Sequence, residues 1–175
     1  TDPLTTAAHA SCAAAALGPR KEVPHLLDGQ QRPADVWLPV WDKGQPAALD
    51  LAVTSPLQQN VVSTAAETCG EAGRAYEAVK MATNNAKDCE ARGIQFIPVV
   101  AESYGGWAPH ASELINRVSK LLAERQGLPR SVALQRLHER LSVTLQRANA
   151  RAILIRDAGL DLATAGAASP AELAL

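Results

Sequence analysis

Apolar and polar positions alternate along this chain in two distinct rhythms, and their order predicts a layered fold. Small residues run almost unbroken from position 3 to 17, and alanine propensity predicts a helix there, stopped by Gly18-Pro19. Residues 21–27 predict a first strand, held to a sheet edge by Pro24 and closed by the turn signal Asp28-Gly29. Two β-prone runs follow, 35–40 and 47–55, joined by the polar turn Trp41-Asp42-Lys43-Gly44. From 57 to 92 the period becomes helical, through Val61, Val62, Ala65 and Ala66 and then Tyr76, Val79, Lys80, Ala82 and Ala86. Cys69-Gly70 and Gly73 weaken its middle, so it reads as two helices or one broken helix.

The most apolar run, 94–101, predicts a central strand, with a local irregularity at Pro98 because proline has no N–H to give a ladder. Two helices complete the pattern. Over 111–126 the stripe is Leu114, Ile115, Val118, Leu121 and Leu122. Over 131–157 it is Val132, Leu134, Leu137, Leu141, Leu145, Ala148, Ala152 and Ile155, with Pro129 and Ser131 marking the start. The predicted order is helix, three strands, helix, strand, helix, helix. It implies an α/β (α+β) domain over 1–158, with a central mixed sheet of about four strands flanked by helices. The Ala-rich tail, 159–175, lacks strong periodicity and is expected to stay partly disordered.

Composition sharpens this only in places. Abundant alanine and 3% aromatic residues favour helices packed closely on a small sheet. The net charge of −1 hides an asymmetry. From Arg117 to Arg156 nine Lys/Arg face only Glu124 and Glu139, a local balance of +7 that leaves −8 elsewhere. A basic half beside an acidic site suits a polyanionic substrate held next to a metal; a solvated helix face is the plainer alternative. Three widely spaced cysteines, with no Cys-x-x-Cys, predict neither a disulfide framework nor a self-contained zinc site. His9 and Cys12 are close enough to be half of a metal site whose other ligands lie outside this chain, or simply two positions of a small-residue helix. No signal peptide and no spanning apolar run are evident, so an intracellular compartment is expected. The threonine start suggests a fragment of a longer chain.

Two aspartates stand out. Asp35 and Asp50 each sit among apolar neighbours, one in each run of the predicted hairpin. A carboxylate inside an apolar strand is costly to bury without a partner or a metal. On neighbouring strands the two can converge on a divalent cation; alternatively each sits solvated at a strand end or caps a turn.

In order and spacing, Gly18-Pro-Arg-Lys-Glu22, Arg32-Pro-Ala-Asp-Val36, Ala48-Leu-Asp-Leu-Ala-Val-Thr-Ser-Pro56 and Phe96-Ile-Pro-Val-Val-Ala-Glu-Ser-Tyr-Gly-Gly106 resemble a known pattern. They are similar to a segment near the C-terminus of reverse-transcriptase polyproteins of invertebrate retroelements, where non-LTR retrotransposons carry a restriction-like endonuclease of the PD-(D/E)XK type. The resemblance spans about residues 10–157. It implies an αβββαβ nuclease-like core and Mg²⁺ (or Mn²⁺) on Asp35 and Asp50, which match the first and second acids of the family. Glu22 matches an extra N-terminal acid that some members use, or is an exposed strand-end charge.

The chain departs from the pattern at its lysine. The family places it two residues after the second acid, which here is Ala52. Other members move it to the following helix, where this chain offers Lys80 and Lys87, seven residues apart and so on one face of a single helix. Lys80, in more apolar company, is the catalytic candidate, with a surface lysine as the alternative. Lys87, Arg147 and Arg151 are candidates for nucleic-acid contact, the two arginines one helical turn apart. Gln95 and Glu102 are candidates to point at the site or to be satisfied by backbone. Tyr104 and Trp107 either stack on a base or pack their loop. His110 and His138 have no visible partner.

The resemblance thus implies a Mg-dependent endonuclease that nicks target DNA in the nucleus as part of a larger reverse-transcriptase protein. The alternatives are a catalytically degenerate module binding nucleic acid or a partner protein, and an oligomerisation domain built on the helices of 111–157.

Overall fold

The computed structural model describes residues 2–21, 23 and 34–157. The predicted Pro24 edge segment, Glu22 and the tail lie outside those residues. Helix α1 (Pro3–Ala14) starts on Asp2, whose side chain accepts the Thr5 N–H, with Pro3 in the first turn where its missing N–H costs nothing. Strand β1 (Arg20–Lys21) pairs antiparallel with β2 (Val36–Asp42), and β2 pairs antiparallel with β3 (Gln45–Thr54). The β2–β3 turn is the two residues Lys43 and Gly44 at φ 47° and 85°. Positive φ at both positions matches the right-handed twist of the strands.

After β3 the chain crosses over through α2 (Val62–Glu67), α3 (Glu71–Met81) and α4 (Asn84–Ala91), and returns as β4 (Gln95–Glu102), parallel to β3. The predicted one or two helices of 57–92 are therefore three. Gly70, at φ 78°, turns the chain into α3, and Thr83 caps α4 by accepting the Ala86 N–H. Helices α5 (Pro109–Gln126) and α6 (Arg130–Asp157) follow, the former ended by Gly127 in the left-handed conformation.

The sheet order is β1-β2-β3-β4, so β4, expected to be central, is an edge strand among the described residues. Its seclusion misled the pattern: seven of its eight residues are buried because helices cover both faces. The edge also explains Pro98. Val100 O accepts from Ala108 N, and Glu102 N donates to Gly106 O. The even-numbered backbone groups of β4 thus face outward, away from β3, and at Pro98 the missing N–H falls on that open side.

The fold is a mixed α/β structure, a four-stranded sheet flanked by helices, with α5 and α6 completing it. One sheet face, from Val36, Leu38, Leu49, Ile97 and Val99, packs on Leu4 and Cys12 of α1, Ile115 and Val118 of α5, and Leu137, Leu141 and Leu145 of α6. The opposite face is thinner, with Ala48 and Phe96 against Ala86 and Cys89 of α4. Among the described residues no helix is long and apolar enough to cross a membrane.

Candidate functional site

The site forms where β2 stops and β3 continues. The β2–β3 ladder begins at Val36↔Leu49, whereas β3–β4 pairing runs on through Thr54↔Glu102. Beyond Leu49 the β2-side edge of β3 has no strand partner among the described residues. Asp35, in the bend just before β2, fills that place: its N–H donates to Leu49 O at 2.9 Å, and its Oδ2 accepts the Leu51 N–H at 2.8 Å. The carboxylate is thereby fixed to the edge of β3.

Asp50 lies between those two backbone contacts, its side chain on the thin face of the sheet. Its neighbours on that face are small, Ala48 and Ala52, which leaves room for a side chain from the crossover helices. Lys80 of α3 takes it. Its Nζ lies 2.8 Å from Asp50 Oδ2, and about a fifth of each side chain is exposed. The Tyr76 ring, one turn earlier on α3, has its centroid 5.9 Å from the same ammonium.

Burial pushes the Asp35 carboxyl above the ordinary aspartate value. The Leu51 N–H pulls it back, the Asp50 charge raises it, Lys80 lowers it and Asp2 raises it further. Asp35, Asp50 and Lys80 thus share one electrostatic neighbourhood. Asp2, the cap of α1, belongs to it too. It lines, with Leu4, Thr5, Asp35, Leu51, Ala52 and Val53, an open pocket of about 320 Å³.

The remaining sequence candidates disperse. Glu22 lies outside the described residues. Lys87 does not share a helix with Lys80: α3 ends at Met81, and Lys87 sits exposed on α4, lining a separate pocket with Gln45 and Gln95. Gln95 is exposed at the first position of β4, opposite Ala47, and does not join Asp50. Glu102 is buried and accepts the backbone N–H of Gly73 in α3 at 2.8 Å, so it is satisfied by backbone rather than placed at the site. Trp107 packs its loop on the core through a bridge to Ala101, while Tyr104 is exposed. Arg147 and Arg151 lie on the exposed side of α6. Cys12 is buried in the core, its thiol pushed up to about 12, and His9 Nε2 bonds Pro19 O at 3.1 Å, so the two do not form half of a metal site. His110, without a visible partner in the sequence, has its Nδ1 2.7 Å from Glu77 Oε1.

Comparison with protein-family models, with curated proteins and with solved structures finds no match.

Among the described residues no group of three or more His, Cys, Asp and Glu side chains converges as a metal cage. A cation here would be held by Asp35 and Asp50 and would complete its shell with water and substrate oxygens. That donor set fits Mg²⁺, a hard ion that takes one or two carboxylates and keeps several waters. The Leu51 and Lys80 contacts engage one oxygen of each carboxylate, and the anionic pressure on Asp35 from Asp50 and Asp2 is of the sign that a divalent cation relieves.

Proposed function

We propose that this chain is a metal-dependent endonuclease domain of retroelement origin, hydrolysing phosphodiester bonds in DNA as part of a larger reverse-transcriptase protein. The observation that carries the reading is the arrival of Lys80 from α3 at Asp50, 2.8 Å away, beside an Asp35 that feels both charges. Two acids and a lysine meet although the strand position for a lysine is Ala52.

Asp35 and Asp50 would hold Mg²⁺, which when bound lowers the pKa of a coordinated water and neutralises charge on the phosphate. The protein's own part is positional and electrostatic. Asp35 is locked to the edge of β3 by Leu51, so its carboxylate needs no reorganisation when substrate arrives. Asp50 orients the Lys80 ammonium, which offers a positive charge and N–H donors to a phosphate oxygen or to the attacking water. The small side chain of Ala52 keeps the pocket beside Asp35 open toward a backbone phosphate.

The basic helix α6 supports the choice of a nucleic-acid substrate. Asn149 Nδ2 and Gln146 Nε2 donate to Ser103 O, and Ser103 N donates to Thr54 O at the end of β3. These bonds place the turn carrying Arg147 and Arg151 at the C-terminal end of β3 and β4. Binding that depends on such phosphate contacts weakens steeply with salt.

Incubation of a supercoiled plasmid with Mg²⁺ or Mn²⁺ tests the reading. Metal-dependent nicking, lost in Asp50→Ala, is the expected result. A folded wild type that never nicks, yet gains Asp50-dependent thermal stability from either metal, would replace the enzyme with a non-catalytic module that keeps the cation site.

A further inference from the structure

Lys80 does its work only if α3 is held at the right distance from the sheet, and the apolar content of α3 is too slight to hold it. Its buried residues are Ala72, Gly73 and Glu77. Val79 and Met81 are exposed, and the preceding helix α2 buries no residue at all. Two small residues contribute little burial energy compared with the leucine- and valine-rich helices across the sheet.

What ties α3 down is a pair of buried carboxylates. Glu102, 8% exposed at the end of β4, accepts the N–H of Gly73 in the first turn of α3 at 2.8 Å. Glu77, 7% exposed in the middle of α3, accepts the N–H of His110 in the first turn of α5 at 3.0 Å, and its other oxygen lies 2.7 Å from His110 Nδ1. Each carboxylate thus meets the positive end of a helix and satisfies an amide with no partner inside its own helix. The chain of contacts runs from β4 through Glu102 to α3, and through Glu77 to α5.

The packing around Glu102 is specific. A Cβ on Gly106 would stand 2.8 Å from Glu102 Oε2 and 3.2 Å from its Cδ, so glycine there makes room for the carboxylate, while Gly73 lies at ordinary contact distance on its other side. Glu77 and Lys80 are three residues apart and share a face of α3. Because Lys80 stands on α3 one turn from Glu77, the position of α3 sets where its ammonium can reach.

We propose that Glu102 and Glu77 are positioning residues: they clamp α3 between β4 and the start of α5 so that Lys80 reaches Asp50. This rests on the endonuclease reading for its purpose, but the placement of Lys80 can be measured without any catalysis.

The test is acetylation of the folded protein with a limiting amine-reactive ester, read at each lysine by mass spectrometry. The exposed Lys87 serves as the internal reference. In the wild type Lys80 is protected by its ion pair, and Asp50→Asn sets the fully released level. Glu102→Ala is expected to raise Lys80 labelling several-fold relative to Lys87, toward that level, and Glu102→Gln, which keeps an acceptor for Gly73, is expected to restore protection. If Glu102→Ala does not fold, Gly106→Ala displaces the same carboxylate from its other side and takes its place. Unchanged Lys80 labelling in a folded Glu102→Ala or Gly106→Ala variant overturns the clamp. Where nicking is measurable, Glu102→Ala is expected to lower kcat at least tenfold with KM nearly unchanged; absence of nicking in the wild type bears on the endonuclease reading and leaves the labelling result standing.

Discussion

The two faces of β3 are built on opposite principles. One presents Ala47, Leu49 and Leu51 to a core shared with α1, α5 and α6, where a deletion leaves a hole. The other carries Ala48, in a small apolar cluster with Phe96, Ala86 and Cys89, and Asp50, paired with Lys80 of α3. A strand alternates its side chains, so a single ten-residue segment can be scaffold on one side and site on the other. The scaffold face is held by area; the site face has a smaller apolar cluster and adds a few charge-assisted bonds that set geometry more than stability.

Substitutions at adjacent positions separate the two. Asp50→Ala is expected to reduce metal-dependent nicking to background, with a circular dichroism spectrum and melting transition close to wild type. Leu49→Ala, one residue away but fully buried, is expected to do the reverse. It costs about 2–5 kcal/mol of stability, the range for a leucine deleted from a packed core. Any molecules still folded keep their specific activity. If Leu49→Ala lost activity without losing stability, the division between faces would be wrong.

A smaller effect is expected at Lys80, because it assists rather than holds the proposed cation. Lys80→Ala should lower kcat by about 10²-fold, the scale of losing one preorganised charged donor. Lys80→Arg should recover only part, since a planar guanidinium cannot occupy the place of a compact ammonium. Full activity in both variants would show that the ion pair with Asp50 is structural.

The scaffold was readable from the chain because its signals are local or periodic. The stripe through Leu114, Ile115, Val118 and Leu122 and the hairpin turn at Lys43-Gly44 each announce their element. Asp35 and Asp50 were also legible, as polar residues in apolar company. The sheet position of β4 was not, because helices covering both faces make an edge strand look central. Nor was the true relation of Lys80 to Lys87. Seven residues put two side chains on one face only if the helix is unbroken, and Thr83 starts a new one. Asp2 and Glu77 escaped for a further reason. Their roles depend on which elements pack together: Asp2 of the α1 cap comes near Asp35 only in the fold, and the partner of Glu77 is 33 residues away.

Asp35 gives the finest test of the site face, because its charge and its hydrogen bond can be separated. Burial and the nearby Asp50 and Asp2 charges hold its carboxyl above the ordinary value of 3.8, despite the opposing pull of Leu51 and Lys80. The folded state therefore holds this proton more tightly than the unfolded chain. Stability contributed by Asp35 falls as pH rises from the unfolded value through the folded one, and the loss is complete above both. Asp35→Asn removes the titration but keeps an oxygen to accept the Leu51 N–H. It is expected to melt above wild type at neutral pH, with the advantage fading as pH falls below 3.8 and the wild-type carboxyl becomes neutral in both states. Asp35→Ala removes the acceptor as well, leaves Leu51 N without its partner, and is expected to melt below wild type at every pH. Asn at 35 would then be better tolerated than Asp by the fold and worse by the proposed chemistry, since an amide is a poor ligand for Mg²⁺ beside a single remaining carboxylate. Equal melting of wild type and Asp35→Asn at pH 7, in the absence of metal, would show that the folded state imposes no charge strain at Asp35.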